Sequence, residues 1–227
     1  MRDRAAEAAG WLAEAWTSGN PLAALPADSA PRDAEEAEAV ATALLAALGQ
    51  PPVGLRIAPG GMVGPLLAGR LVVAGTPIAL AGLRHARATA AVAAVLAEPL
   101  GAGPPRFSTL HPALDVAASR FGAGPADAAA AIADLAGLGL VVVGRGRAIM
   151  PGSEAVALAE GRRRPRGQPV DLAARLKEAV TAARARGGLP AGAVLLVAGL
   201  TPAVGPAAGM RLTAALGAVG RVGAGFA

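Results

Sequence analysis

The sequence predicts an α/β (α+β) chain, with helices over the first 50 residues and a β-rich body after them. Three observations carry this. Apolar residues recur at helical spacing as far as residue 48, with Gly19 and Gly49 placed as stops. From Pro51 the pattern changes to short apolar runs bounded by Pro and Gly, which is strand punctuation. Hydrophobic residues are 54% of the 227 and charged residues only 16%, so there is enough apolar surface for a real core. Residues 1–227 read as a single domain, with a helical part at 1–50 and a β core at 51–227 that carries helices near 125–136 and 171–186.

Residues 3–17 form the first predicted helix, in which Leu12 and Trp16 share a face and packing accounts for both Trp11 and Trp16. A Pro/Ala linker follows. Asp33 with Glu36 makes a capping pair for a helix over 34–48. Residues 53–57 read as a short strand, followed by the turn Pro59-Gly60-Gly61. Residues 71–73, 78–80 and 90–96 read as strands of an antiparallel-rich sheet, the last inside a longer apolar stretch, 83–100. A helix is expected over 126–136, with Pro125 suited to its first turn. Residues 140–143 read as a buried strand, and 148–158 as another interrupted by Pro151-Gly152. Asp171 caps a helix over 172–186 that carries Leu172, Leu176 and Val180 on one face, and Gly187-Gly188 end it. Strands and turns fill 194–226. No repeat of 20–50 residues is present.

Composition excludes several classes. There is no cysteine, so disulfides and thiolate metal sites are absent. The net charge of +5 comes from 21 basic and 16 acidic residues, and Lys177 is the only lysine. Arg, Ala, Gly and Pro rising together while Lys falls reads as a GC-rich coding bias, and Arg162 to Arg166 as a solvated loop. Aromatic residues are 2% and none interleaves the arginines, so no base-stacking surface is expected and nucleic acid is not an expected partner. Glu7 and Glu14 interrupt the N-terminal stretch where a signal peptide needs an apolar core. The uncharged run 187–210 contains Pro190, Pro202 and Pro206, which suit strand and turn better than a membrane helix. The expectation is a soluble, cytoplasmic protein with no membrane partner.

Several stretches together carry a family resemblance. His85 to Leu96 aligns with a strand motif R-V-E-x-E-I-A-F-V-L, and Pro112-Ala113-Leu114-Asp115 with P-A-[LI]-E. Ser119-Arg120 aligns with D-S-R, and Asp134 with A-D-N. Gly199-Leu200-Thr201 with Pro206 to Met210 aligns with G-[ST]-L-T…P-x-x-G-D, and Val219 to Val222 with L-G-S-V. The chain resembles the fumarylacetoacetate hydrolase superfamily, in its branch of 2-keto-4-pentenoate hydratases, 2-oxo-hepta-3-ene-1,7-dioate hydratases and 4-oxalocrotonate decarboxylases. The resemblance implies N-terminal helices followed by a mixed β-roll or barrel. It also implies Mg²⁺ or Mn²⁺ on three carboxylates, two from E-x-E and one from P-A-[LI]-E, holding a 2-oxo acid. The spacing makes chemical sense, because residues i and i+2 of a strand share a face and hard cations want oxygen ligands.

In this chain the ligand positions fall on Thr89, Ala91 and Asp115, so two of the three carboxylates are gone. No metal site and no cofactor are expected. Where relatives place an active-site lysine stands Arg56, which keeps the charge but cannot act as a base near neutral pH. Where relatives place an acid after the next turn stand Ala68-Gly69. Asp115 reads equally as a relic ligand or as a buried carboxylate paired with Arg120 or Arg56. His85 reads as solvated, and His111 as a residue that starts a strand. Ser119 has no base nearby in sequence.

Two functions compete on these residues. One is a catalytically impaired or non-metal homologue acting as a binding or partner subunit, as a homo-oligomer or in complex with a homologous active subunit. The other is an active hydratase or decarboxylase on a small 2-oxo-4-enoic acid, with a rebuilt site. In that case Arg56 and Asp115 are the catalytic candidates, Arg56, Arg120 and Thr201 hold the acid, and Mg²⁺ or Mn²⁺ is the cofactor.

Overall fold

The structure is a computed structural model that describes residues 3–161 and 166–227. Among these residues the helices are α1 (Arg4–Ser18), α2 (Ala34–Leu48), α3 (Ala128–Ala133) and α4 (Leu172–Ala185). The strands are β1 (Pro52–Ile57), β2 (Val63–Leu67), β3 (Leu71–Val73), β4 (Arg84–Leu96), β5 (Phe107–Ser119) and β6 (Leu140–Val143). They continue with β7 (Ser153–Glu160), β8 (Gln168–Asp171), β9 (Val194–Val197), β10 (Arg211–Leu216) and β11 (Gly220–Gly225).

Local chemistry sets the long helices. The Asp3 carboxylate accepts from the amides of Ala5 and Ala6 and starts α1, which Gly19 ends at φ 74°. Asp33 accepts from the Glu36 amide at 2.9 Å and starts α2. Glu36 does not complete the reciprocal half of a capping box. Its carboxylate takes the Arg32 amide at 3.0 Å and the Arg32 guanidinium instead. Those hydrogen bonds hold the Glu36 carboxyl down at about 2. In α4 the Asp171 carboxylate accepts from Ala174 at 3.0 Å, and Leu172, Leu176 and Val180 are buried as their spacing predicts.

Seven strands form a mixed sheet in the order β2-β1-β9-β4-β5-β6-β3, in which β1–β9 and β3–β6 run parallel. A second sheet has the order β11-β10-β7-β8. Strands β4 and β5 form the centre of the larger sheet, and alternation along them feeds two cores. Ala90, Val92 and Ala94 pack with Leu212, Ala214 and Val222 of the smaller sheet and with Leu172 and Val180 of α4. Ala91, Ala93 and Ala113 face the other way, against Ala8 and Leu12 of α1 and Val40 and Leu44 of α2. Alanine at these positions lets the layers approach closely, which suits a chain with few rings to fill space.

Several expected elements differ. Residues 78–80 form no strand and leave only a bridge from Ile78 to Phe226. The third helix is six residues long, because the Asp127 carboxylate caps it through Ala130 and the Asp134 side chain turns inward. Strand β7 begins only after Pro151-Gly152. Strand β5 runs straight through Pro112 although it lies between two neighbours. The Pro112 carbonyl accepts from the Gly144 amide, just past the end of β6, and the Gly144 carbonyl opposite takes the His111 ring in place of the amide that proline lacks. Trp11 is 42% exposed rather than packed, and only Trp16 is sheltered. Of the Arg162 to Arg166 loop, residues 162–165 lie outside the described residues.

Candidate functional site

Strand register gathers the predicted positions. Thr89 of β4 stands directly across from Asp115 of β5, and Ala91 across from Ala113. All four therefore face the helical side of the sheet. On β1, Leu55 and Ile57 pack toward the smaller sheet, which turns Arg56 between them to the same side as Asp115. With β9 and β4 between β1 and β5, the Arg56 side chain reaches over the sheet to Asp115 beside Thr89, and each of the three is at most 1% exposed.

Here Arg56 and Asp115 form a two-pronged ion pair. Arg56 Nε donates to Asp115 Oδ1 and Nη2 to Oδ2, each at 2.7 Å. Nη1 donates to the Ala136 carbonyl at 2.8 Å, so every guanidinium nitrogen has an acceptor. The fork matches a carboxylate's two oxygens, which makes this the strong form of the interaction. Of the arginines expected as partners for Asp115, the structure gives Arg56. Thr89 Oγ1 is also engaged, accepting from the Gly199 amide at 3.0 Å. Thr201 Oγ1 accepts from the Ala90 amide at 3.1 Å, a contact that pins the loop after β9 to β4.

Arg120 forms a second buried pair. Its Nε donates to Asp134 Oδ1, while Nη1 and Nη2 donate to the carbonyls of Leu138 (2.6 Å) and Asp134 (2.8 Å). Asp134 Oδ2 also accepts from the Arg120 amide at 3.1 Å and the Ser119 hydroxyl at 3.2 Å. Burial pushes the Asp134 carboxyl upward, and Arg120 with these bonds draws it back. Between the two arginines the chain turns through Leu135 (φ 51°) and Ala136 (φ 54°), unusual for residues with a side chain. That turn aims the carbonyls of Ala136 and Leu138 at Arg56 and Arg120, and the buried guanidinium bonds hold the strained backbone in place.

His85, at φ 52°, bonds the Gly122 carbonyl through Nε2 at 2.7 Å, and it shares a cavity of about 300 Å³ with Arg56, Ser119 and Asp134. His111 lies elsewhere, between Thr109 and the Gly144 carbonyl. The residues fit a divalent cation poorly. Both Asp115 oxygens already hold Arg56, Thr89 offers a hydroxyl that is itself an acceptor, and Ala91 offers nothing. Among the described residues no group of three or more His, Cys, Asp or Glu side chains could hold a metal ion. Sequence reasoning did not single out Arg70, whose guanidinium lies 4.0 Å from the Trp16 ring centroid, with that of Arg120 at 4.4 Å. Only the fold brings these residues together.

Helices over one face of a large mixed sheet, a smaller sheet on the other, and a buried site drawn from β1, β4 and β5 define the fumarylacetoacetate hydrolase type of fold. Solved structures of 4-oxalocrotonate decarboxylase from Pseudomonas putida G7 share that fold along almost their whole length. The form complexed with magnesium and adipate has a TM-score of 0.83 at 21% identity, covering 100% of this chain and 98% of its own. The form with calcium and acetate has a TM-score of 0.81 at the same identity and coverage. The 2-hydroxyhepta-2,4-diene-1,7-dioate isomerase from Mycobacterium marinum is more distant, with a TM-score of 0.57 at 14% identity over 78% of this chain and 76% of its own. No protein-family model and no curated protein matches the sequence. No helix among the described residues is long and apolar enough to cross a membrane.

Proposed function

We propose that this chain is a hydratase- or decarboxylase-like protein in which a fixed guanidinium stands where relatives would bind a cation. It works without metal as a binding or partner subunit, either with copies of itself or with a homologous active subunit. The supporting observation is the Arg56–Asp115 pair. The one remaining carboxylate of the expected ligand set has both oxygens committed to Arg56, in a fully buried setting. A divalent cation would have to displace a charged, two-pronged hydrogen bond and would gain one carboxylate for it, too little for ions that shed water reluctantly. The fold neighbours described with calcium or magnesium support the kinship, and the substituted positions Thr89 and Ala91 support the loss.

The test is turnover of 2-hydroxypenta-2,4-dienoate, followed by its ultraviolet absorbance, with the protein chelated and then supplied with Mg²⁺ or Mn²⁺. No turnover above background in either condition is the expected result. Metal-dependent turnover would overturn the reading. Metal-independent turnover would favour a rebuilt lyase site in the cavity that Arg56 shares with His85. Size-exclusion chromatography with light scattering tests self-association.

A further inference from the structure

A separate cavity of about 250 Å³ adjoins Arg120, where the end of α1 meets the start of β4. Trp16, Ser18, Asn20, Arg70, Arg84 and Arg120 line it, and no acidic residue does. Arg120 is neutralised by Asp134. Arg70 and Arg84 have no acidic partner among the described residues, and the undescribed residues contain no Asp or Glu. Arg70 is only half-exposed, and it lines the cavity with its guanidinium over the Trp16 ring. Burial first, and then the charge of Arg120, lowers the Arg70 guanidinium to about 10, the mark of a cation that lacks its counter-charge.

Near the end of α1 the carbonyls of Ala13 and Glu14 accept from Thr17 Oγ1, and that of Ala15 from the Gly19 amide. The cavity gathers positive charge beside Trp16, and Ser18 and Asn20, bonded to each other through Asn20 N and Ser18 Oγ, also line it. Guanidinium forks held by stacking on a ring provide two-pronged recognition of an oxyanion.

We infer that this cavity binds a small organic oxyanion, a carboxylate or phosphate group held by Arg70 and Arg84 beside Trp16. This inference goes beyond the proposed function and does not depend on the state of Asp115.

The experiment follows Trp16 fluorescence in the otherwise intact Trp11→Phe protein, titrated separately with inorganic phosphate and with succinate at low salt. Saturable change with either probe is expected, and the probe that saturates identifies the group. Arg70→Ala should weaken binding about tenfold or more, and Arg84→Ala, at an exposed position, by a smaller factor with the fold unchanged. Arg70→Lys should recover part of the loss, since it keeps the charge but not the fork. Failure of both probes to saturate at millimolar concentration would overturn the inference. So would equal affinity in the parent, Arg70→Ala and Arg84→Ala proteins.

Discussion

Replacing Asp115 with alanine strands the Arg56 guanidinium in a place with no water. Arg56 is fully buried and loses two charge-assisted bonds of 2.7 Å, keeping only the Ala136 carbonyl. Arginine cannot shed its proton, so the charge stays. Two such bonds are worth about 1.5–3 kcal/mol each, and breaking a buried pair from one side costs about 3–5 kcal/mol. For a chain of this size that is a fall in Tm of roughly 6–20 °C. Urea unfolding followed by circular dichroism measures it. The double variant Arg56→Met/Asp115→Leu removes both charges, and its only orphan is the Ala136 carbonyl. It should recover most of the loss, falling short of wild type by about 1–3 kcal/mol. A cost below about 1 kcal/mol for Asp115→Ala, or a double variant as unstable as the sum of the single changes, would refute the reasoning.

Other outcomes follow from the same contacts. In Arg120→Met, Asp134 loses the cation that draws its carboxyl down, while burial still pushes it up. A folded-state value raised above the unfolded one gives stability at low pH that is lost as pH rises, so this variant should lose most stability relative to wild type at pH 8 and least near pH 4. Arg32→Ala should let the Glu36 carboxyl return from about 2 toward the ordinary carboxylate range, visible in a carbon-detected NMR titration. A Cβ at Gly54 would lie 1.9 Å from the Val194 carbonyl oxygen, so Gly54→Ala must force β1 from β9. Its cost should lie at or beyond the upper end of the about 1–3 kcal/mol typical of overpacking, read by chemical denaturation.

Much of this architecture was legible because its causes are local. Asp33 and Asp171 start their helices within three residues of themselves, and alternation along β4 places Thr89 and Ala91 on one face before any partner is known. The β1 position of Arg56 and the loneliness of Asp115 were equally plain. Which arginine Asp115 would take was not, since the partners lie 59 residues apart and only the strand order, which puts two strands between β1 and β5 with Arg56 on the same face, decides between Arg56 and Arg120. The shortening of α3 was hidden for a similar reason. Its alanines favour helix, but the Arg120 guanidinium claims the Asp134 carboxylate and carbonyl, and the chain bends to supply them. Pro112 in a central strand had no local signal, since only the fold brings the Gly144 carbonyl opposite it and gives that carbonyl to His111. Trp16 and Arg70 are far apart in sequence and neither carries a motif, so their stacking had no signal.

The central claim is that the Arg56 guanidinium has taken the place of a divalent cation on Asp115. Calorimetric titration of chelator-treated protein with Mg²⁺ and Mn²⁺, with and without oxalate as a 2-oxo acid mimic, tests it most directly. The account predicts no saturable metal binding up to millimolar concentration in either condition. Saturation at about one ion per chain, lost in Asp115→Ala, would contradict it and return Asp115 to the role of a metal ligand.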